Sequence, residues 1–190
     1  MSRTVYVLDD HTSLENYKLS MSLVVPRPIA WISTYNDDGG VNLAPYALFA
    51  VVSTEPMIVQ FASRSPKDSY HNAVRRGAFV VNFANVDQQP LVAKTSIEFP
   101  YGHSEADEVG VQTYRAPQVN APMVEGCYAA FECETYDTSQ VGGSTITYGL
   151  VKTIHTDPTI MAEDGMADFA KLNPLSKLGR KEWGSTRAFT

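Results

Sequence analysis

Two β-patterned segments meeting at Gly142-Gly143 constrain this chain more than any other feature. YAAFECETYDTSQV on one side and STITYGLVKTIHT on the other are rich in β-branched and aromatic residues. A Gly-Gly pair between two such runs fits a two-residue hairpin turn, because glycine accepts the positive φ these turns demand. Such a ribbon is stable only with further strands beside it, and the chain supplies them. RPIAWIST, VNLAPYALFAVVS, PMIVQFAS and AFVVNFAN all read as extended, and the polar loop YNDDGG between the first two is a second hairpin signal. Pro45 marks a bend or an edge position, since proline has no N–H to donate to a neighbouring strand. Helical signals are few and short. SLENYKLS, PKDSYHNAVRR and DQQPLVAKTS each offer about two turns. Residues 98–123, rich in Gly, Pro and charge, read as an excursion from the sheet, and the tail ADFAKLNPLSKLGRKEWGSTRAFT reads as one helical turn followed by loop. The expected fold is mainly β: a six-stranded antiparallel barrel with short peripheral helices, in which closure removes exposed edges.

At 190 residues, the chain suits one domain spanning 1–190. Its net charge of -6 argues against a general nucleic-acid binder, though not against one local basic pocket. No apolar run approaches the roughly 20 residues of a membrane span. MSRTVYVLDDHTS lacks the apolar centre of a signal peptide, so the expected location is cytoplasmic. Cys127 and Cys133 lie in the alternating stretch CYAAFEC. Along one strand they would stand roughly 20 Å apart, beyond disulfide reach, and they are read as free thiols. No metal-ligand spacing is present.

The densest chemistry is SRSPKDS, residues 63–69, between an apolar strand and a short helix. Ser65 stands where an N-cap belongs, with Pro66 at the first helical position and Asp68 three residues on. A helix N-terminus offers unpaired N–H groups and a positive dipole end to an anion such as phosphate. Ser63, Arg64 and Lys67 surround that spot with a hydroxyl, a guanidinium and an ammonium. The plainer reading is a capped helix carrying solvated cations.

The surrounding run, from PRPIAWIST through NLAPYALF and SPKDSYHN to GAFVVNFAN, covers residues 25–85. It resembles the flavin reductase-like family of FMN-binding split barrels, whose members carry a similar series in the same order and spacing. ITYGLVKTIHTD resembles the family's late strand, and NPLSKLGR its C-terminal segment, with Ser176-Lys177 where an arginine is usual. The resemblance implies a Greek-key split barrel, a homodimer, and FMN near the subunit interface. It makes the anion the FMN phosphate, held by Ser63, Arg64, Ser65 and Lys67. Ser69 keeps a hydroxyl where threonine is commoner, and Asp68 caps the helix. The flavin ring needs a flat apolar slot with a few polar groups at its edge. Arg27, Ala30 and Trp31 are candidates for one wall and Asn42, Ala44 and Pro45 for the other. Trp31 equally suits the core, and Asn82 either bonds the ligand or closes its strand. His155 is the one catalytic candidate, as an imidazole able to move a proton near neutral pH. Arg180 is either a solvated tail residue or a contact for a phosphate or nicotinamide cofactor. The implied activity is hydride transfer from NADH or NADPH to flavin. No GxGxxG follows a strand, so no Rossmann site is expected; the resemblance implies a nicotinamide that stacks directly on the flavin, which leaves the missing motif uninformative about hydride transfer. The alternative is an FMN-binding electron carrier or sensor reduced by a protein partner, with the excursion and tail closed over the ring.

Overall fold

A computed structural model describes residues 3–189; the two N-terminal residues and Thr190 of the expected 1–190 domain lie outside that range. In chain order the elements are α1 (Ser13–Leu23), β1 (Arg27–Pro28), β2 (Ala30–Tyr35), β3 (Val41–Tyr46), β4 (Phe49–Thr54), β5 (Met57–Ser63) and α2 (Asp68–Arg76). Then come β6 (Ala78–Phe83), α3 (Gln89–Lys94), α4 (Glu105–Val109), β7 (Thr113–Arg115), β8 (Pro122–Val124), β9 (Ala129–Val141), β10 (Ser144–Thr156), α5 (Phe169–Leu172), β11 (Ser176–Lys177) and β12 (Trp183–Gly184). Antiparallel pairing orders the main sheet β3-β2-β6-β9-β10-β5-β4. It holds seven strands, one more than the expected six, because VNLAPYALFAVVS divides into β3 and β4 at Ala47 and Leu48.

The long hairpin pairs as its sequence suggests, from Ser144↔Val141 to Thr156↔Ala129, with Gly142 at φ 57 in the turn. Gly149 serves a different purpose. A Cβ there would overlap the Phe79 ring and lie 2.9 Å from Cys133 Cβ, so its missing side chain is what admits Phe79 to the core. β2 shows why the main sheet is covered on both sides. Ala30 and Ile32 join Val59, Phe61, Phe79 and Val81 in one apolar cluster. Their neighbours Ile29 and Trp31 point the other way, joining Leu43, Val92 and Val124 in another. Alternate residues of a strand face opposite sides, and here both sides are apolar. Each buried ring or aliphatic side chain contributes about 1.5–3 kcal/mol.

The excursion is more ordered than its composition suggests. β7 and β8 form a ribbon, Thr113↔Val124, and Ala116, Val119 and Ala121 pack on Ala78 and Val80 of β6. The tail also pairs, in the order β1-β11-β12, so residues near both ends of the chain meet. α1 runs three turns, one more than expected, under a Thr12–Glu15 capping box, yet buries none of its residues. Among the described residues no helix is long and apolar enough to cross a membrane.

Candidate functional site

β5 ends at Ser63, which pairs with Thr145, and the chain turns into α2 over the next four residues. Ser63 Oγ donates to Ser65 O at 2.6 Å, which tightens the turn. The helix starts later than the sequence suggests. Its N-cap is Lys67, in extended conformation and with no side-chain cap, so Ser65 is not the cap. Asp68 does not cap it either, because its Oδ2 accepts from Gly102 N–H at 2.8 Å. The first N–H groups of α2 therefore keep no side-chain acceptor, and they lie beside the cations of the turn. Lys67 pairs with Glu98 at 2.7 Å, both side chains well exposed, and this holds the Glu98 carboxyl below its ordinary range. An exposed pair of this kind is weak enough to yield to another anion. The Arg64 guanidinium lies over the Tyr17 ring, 5.0 Å from its centroid.

A buried polar network fixes the β3 side. Asn42 Oδ1 accepts from Ser69 Oγ at 2.7 Å and Thr34 Oγ1 at 3.2 Å, while its Nδ2 donates to Glu105 Oε2 at 2.9 Å. The same carboxylate oxygen accepts from Leu43 N–H at 3.0 Å. Glu105 comes from α4 in the excursion and is only 7% exposed; burial raises its pKa despite those bonds, and Asp68 adds to the rise. Burial likewise pushes the Tyr46 phenol up to about 12, which keeps it neutral.

Two cavities open around these groups. One, of about 500 Å³, is lined by Asn42, Ala44, Lys67, Ser69, Thr95 and Glu105 among others. The larger, of about 880 Å³, lies between α1, the turn after β5 and the C-terminal tail. Both fall within the roughly 300–1,000 Å³ of small-molecule sites. Pro45, Tyr46, Ser63 and Ser96 line both, so the cavities share a wall.

The flavin reductase-like domain model matches residues 21–171. The chain belongs to the flavin reductase-like family. An uncharacterized protein of Aquifex aeolicus is 32% identical over 170 residues, covering 87% of each chain. Nitrilotriacetate monooxygenase component B from Bacillus cereus superposes with a TM-score of 0.94 at 20% identity, over 100% of this chain and 98% of its own. An FMN-binding protein from Thermus thermophilus superposes at 0.74 with 18% identity, over 89% and 92%. At such identities the superpositions establish the split-barrel fold alone.

On this flavin reductase-like chain the expected site residues separate into groups. Asn42, Ala44, Pro45, Ser63, Lys67 and Ser69 line the smaller cavity, and Arg27, Arg64, Pro45 and Ser63 the larger. Ser65 is exposed and lines neither. Ala30, Trp31 and Asn82 are each 0% exposed and line neither of these two cavities. The inward alternation of β2 and β6 buries them. Asn82 is consumed by Trp31 O, Ser33 Oγ and Val124 N–H. Trp31 acts at one remove, donating from Nε1 at 2.9 Å to Thr95 Oγ1, on the wall of the smaller cavity. His155 is engaged within this chain as well. Its Nε2 lies 2.6 Å from Oε1 of the fully buried Glu132, and it lines neither cavity. Glu132 Oε2 accepts from the N–H groups of Gln118 and Val119, so the pair pins the excursion to β9. Glu105, Glu132 and Thr95 escaped the sequence reading. For Glu132 a signal existed, a lone carboxylate amid the apolar alternation of CYAAFEC.

Both cysteines are free, as expected, but only Cys133 lies on a strand; Cys127 precedes β9. Burial raises both thiols, Cys127 to about 12, which leaves them unreactive.

Proposed function

We propose that this protein is an FMN-binding flavoprotein oxidoreductase that passes a hydride from NAD(P)H to flavin, acting as a cytoplasmic homodimer with the flavin near the subunit interface. The observation that carries the reading is the uncapped N-terminus of α2. It combines free N–H groups with Ser63, Lys67 and Ser69 on the wall of a cavity large enough for a cofactor. Those residues fit a phosphate. Its dianion would draw Lys67 from its exposed partner Glu98 and accept from the α2 N–H groups, and from Ser63 Oγ once that hydroxyl turns away from Ser65 O. Ala44, Pro45 and Tyr46 fit an apolar wall for the flavin ring, and Asn42 orders that wall, since its amide is already bonded to Ser69 and Glu105. Bound there, FMN would supply the two-electron chemistry, and the protein's part is to hold and orient it. The adjoining larger cavity supports an enzyme over a carrier closed around its flavin, because it leaves room for a second ligand beyond the shared wall. For the dimer, the supporting feature is β4, an edge strand that exposes Val51 and Val52.

The test is anaerobic: the protein is loaded with FMN, mixed with NADH or NADPH, and watched for bleaching of the flavin band. Bleaching by either nucleotide is expected, and FMN bound without bleaching by either leaves only the carrier. Lys67→Ala should weaken FMN by about tenfold or more, with riboflavin little changed, since a charge-assisted bond contributes roughly 1.5–3 kcal/mol. Equal weakening of both ligands would remove the phosphate assignment.

A further inference from the structure

The larger cavity carries a charge pattern that the flavin phosphate leaves unexplained. Six of the chain's 15 lysines and arginines line it: Lys18, Arg27, Arg64, Lys177, Arg180 and Lys181. Among the described residues no aspartate or glutamate lines it, although the whole chain carries a net charge of -6. Among the described residues none of the six makes an ion pair, whereas Lys67, Arg75, Arg76 and Lys152 elsewhere all do. Arg27 is only 8% exposed. Its terminal nitrogens donate to Leu178 O at 2.7 Å and approach Met21 Sδ at 3.5 Å, but its buried Nε has no partner. Burial, with Arg27 beside it, lowers the Lys177 pKa, and nearby Glu182 offsets only part of that shift. Crowded, partly desolvated cations without an ion-pair partner are costly, and a multiply charged anion would offset that cost. Two aromatic faces stand among them, Tyr17 under Arg64 and Trp183 under Lys177, the latter 4.8 Å from the ring centroid. A base or ring stacks on such faces.

Resting on the flavoprotein reading above, we infer that the larger cavity is the nicotinamide dinucleotide site and that it selects the 2′-phosphorylated form, NADPH over NADH. A pyrophosphate and a 2′-phosphate together supply enough negative charge for cations contributed by α1, β1, the turn after β5 and the tail. Discrimination follows from what is missing as well as what is present. Recognition of an unphosphorylated ribose uses a carboxylate on the 2′-hydroxyl, while a 2′-phosphate is met by arginine or lysine. This cavity offers only the second kind of group. The shared wall of Pro45, Tyr46, Ser63 and Ser96 lets occupants of the two cavities meet. Arg180 and Lys181, exposed and without ion-pair partners, are assigned to the 2′-phosphate.

The experiment is calorimetric titration with two redox-inert probes, adenosine 2′,5′-bisphosphate and 5′-AMP, on FMN-loaded and flavin-free protein. The bisphosphate should bind about tenfold or more tightly than AMP, the scale of one good charge-assisted contact. Arg180→Asn with Lys181→Ala should erase that difference and leave FMN affinity unchanged; asparagine is chosen because position 180 sits at φ 56. Equal affinity for the two probes overturns the inference. So does loss of FMN binding in the double variant, which would place the flavin itself among these cations. Tight bisphosphate binding to a protein that takes up no FMN would uphold the cavity assignment and sink the flavin reading, so the two fail separately.

Discussion

The family resemblance makes Asn42 a ligand contact, and on the wall of the smaller cavity its amide has three internal partners. What matters at this position is the carboxylate behind it. Glu105 is buried and its folded pKa is raised, so the folded protein holds that proton to higher pH than the unfolded chain does. Stability from this group is therefore full below the ordinary glutamate value of 4.5 and lost as pH rises through the elevated folded value. Glu105→Gln keeps an acceptor for Leu43 N–H and has no charge to bury. Wild type should lose stability relative to this variant as pH climbs from 4.5, measured as urea midpoints at several pH values. A difference that stays flat across that window would rule the effect out. Ser63 and Lys67 could be picked out from their residue types alone. Glu105 could not, because its importance arises when α4 docks on β3, 62 residues away in sequence at Leu43.

Among the elements, α1 and α2 show how local signals succeed and fail. The Thr12–Glu15 box forms between residues three apart, with Thr12 N–H donating to Glu15 Oε2 at 2.9 Å. Because α1 buries none of its residues, its order rests on that cap and on contacts such as Tyr17 with Arg64. Thr12→Ala should cost the helix about 1 kcal/mol. Amide exchange across α1 should then quicken about fivefold while the melting temperature stays put. A clear drop in melting temperature would mean that α1 belongs to the cooperative core. α2 went the other way. Ser-Pro-Lys-Asp has the spelling of a capped start, yet Asp68 is drawn off to Gly102 and the helix begins uncapped. A tertiary hydrogen bond outcompeted the local one, and the free helix end it left is the core of the proposed phosphate seat.

On the scale of the whole molecule, ligand binding and folding are linked. FMN at about 100 times its dissociation constant should stabilise the protein by about 2.7 kcal/mol. In a chain of this size that raises the melting temperature by about 5–10 °C, and riboflavin at equal concentration should do less. No shift with FMN would remove the flavin from the proposed function. The main-sheet segments, both hairpins and the antiparallel class were determined by the sequence alone, though not the β3–β4 break or the short strands of the excursion and tail, because alternation and turn glycines act over a few residues and need no distant partner. The family too was legible there, in the order and spacing of residues 25–85. Only the tertiary structure decided that Trp31 and Asn82 serve the core, that His155 answers to the buried Glu132, and that six cations from four separate segments surround one cavity. The reason is physical: burial, charge pairing and cavity shape depend on which distant segments meet, and the local periodicity of a chain carries no record of that.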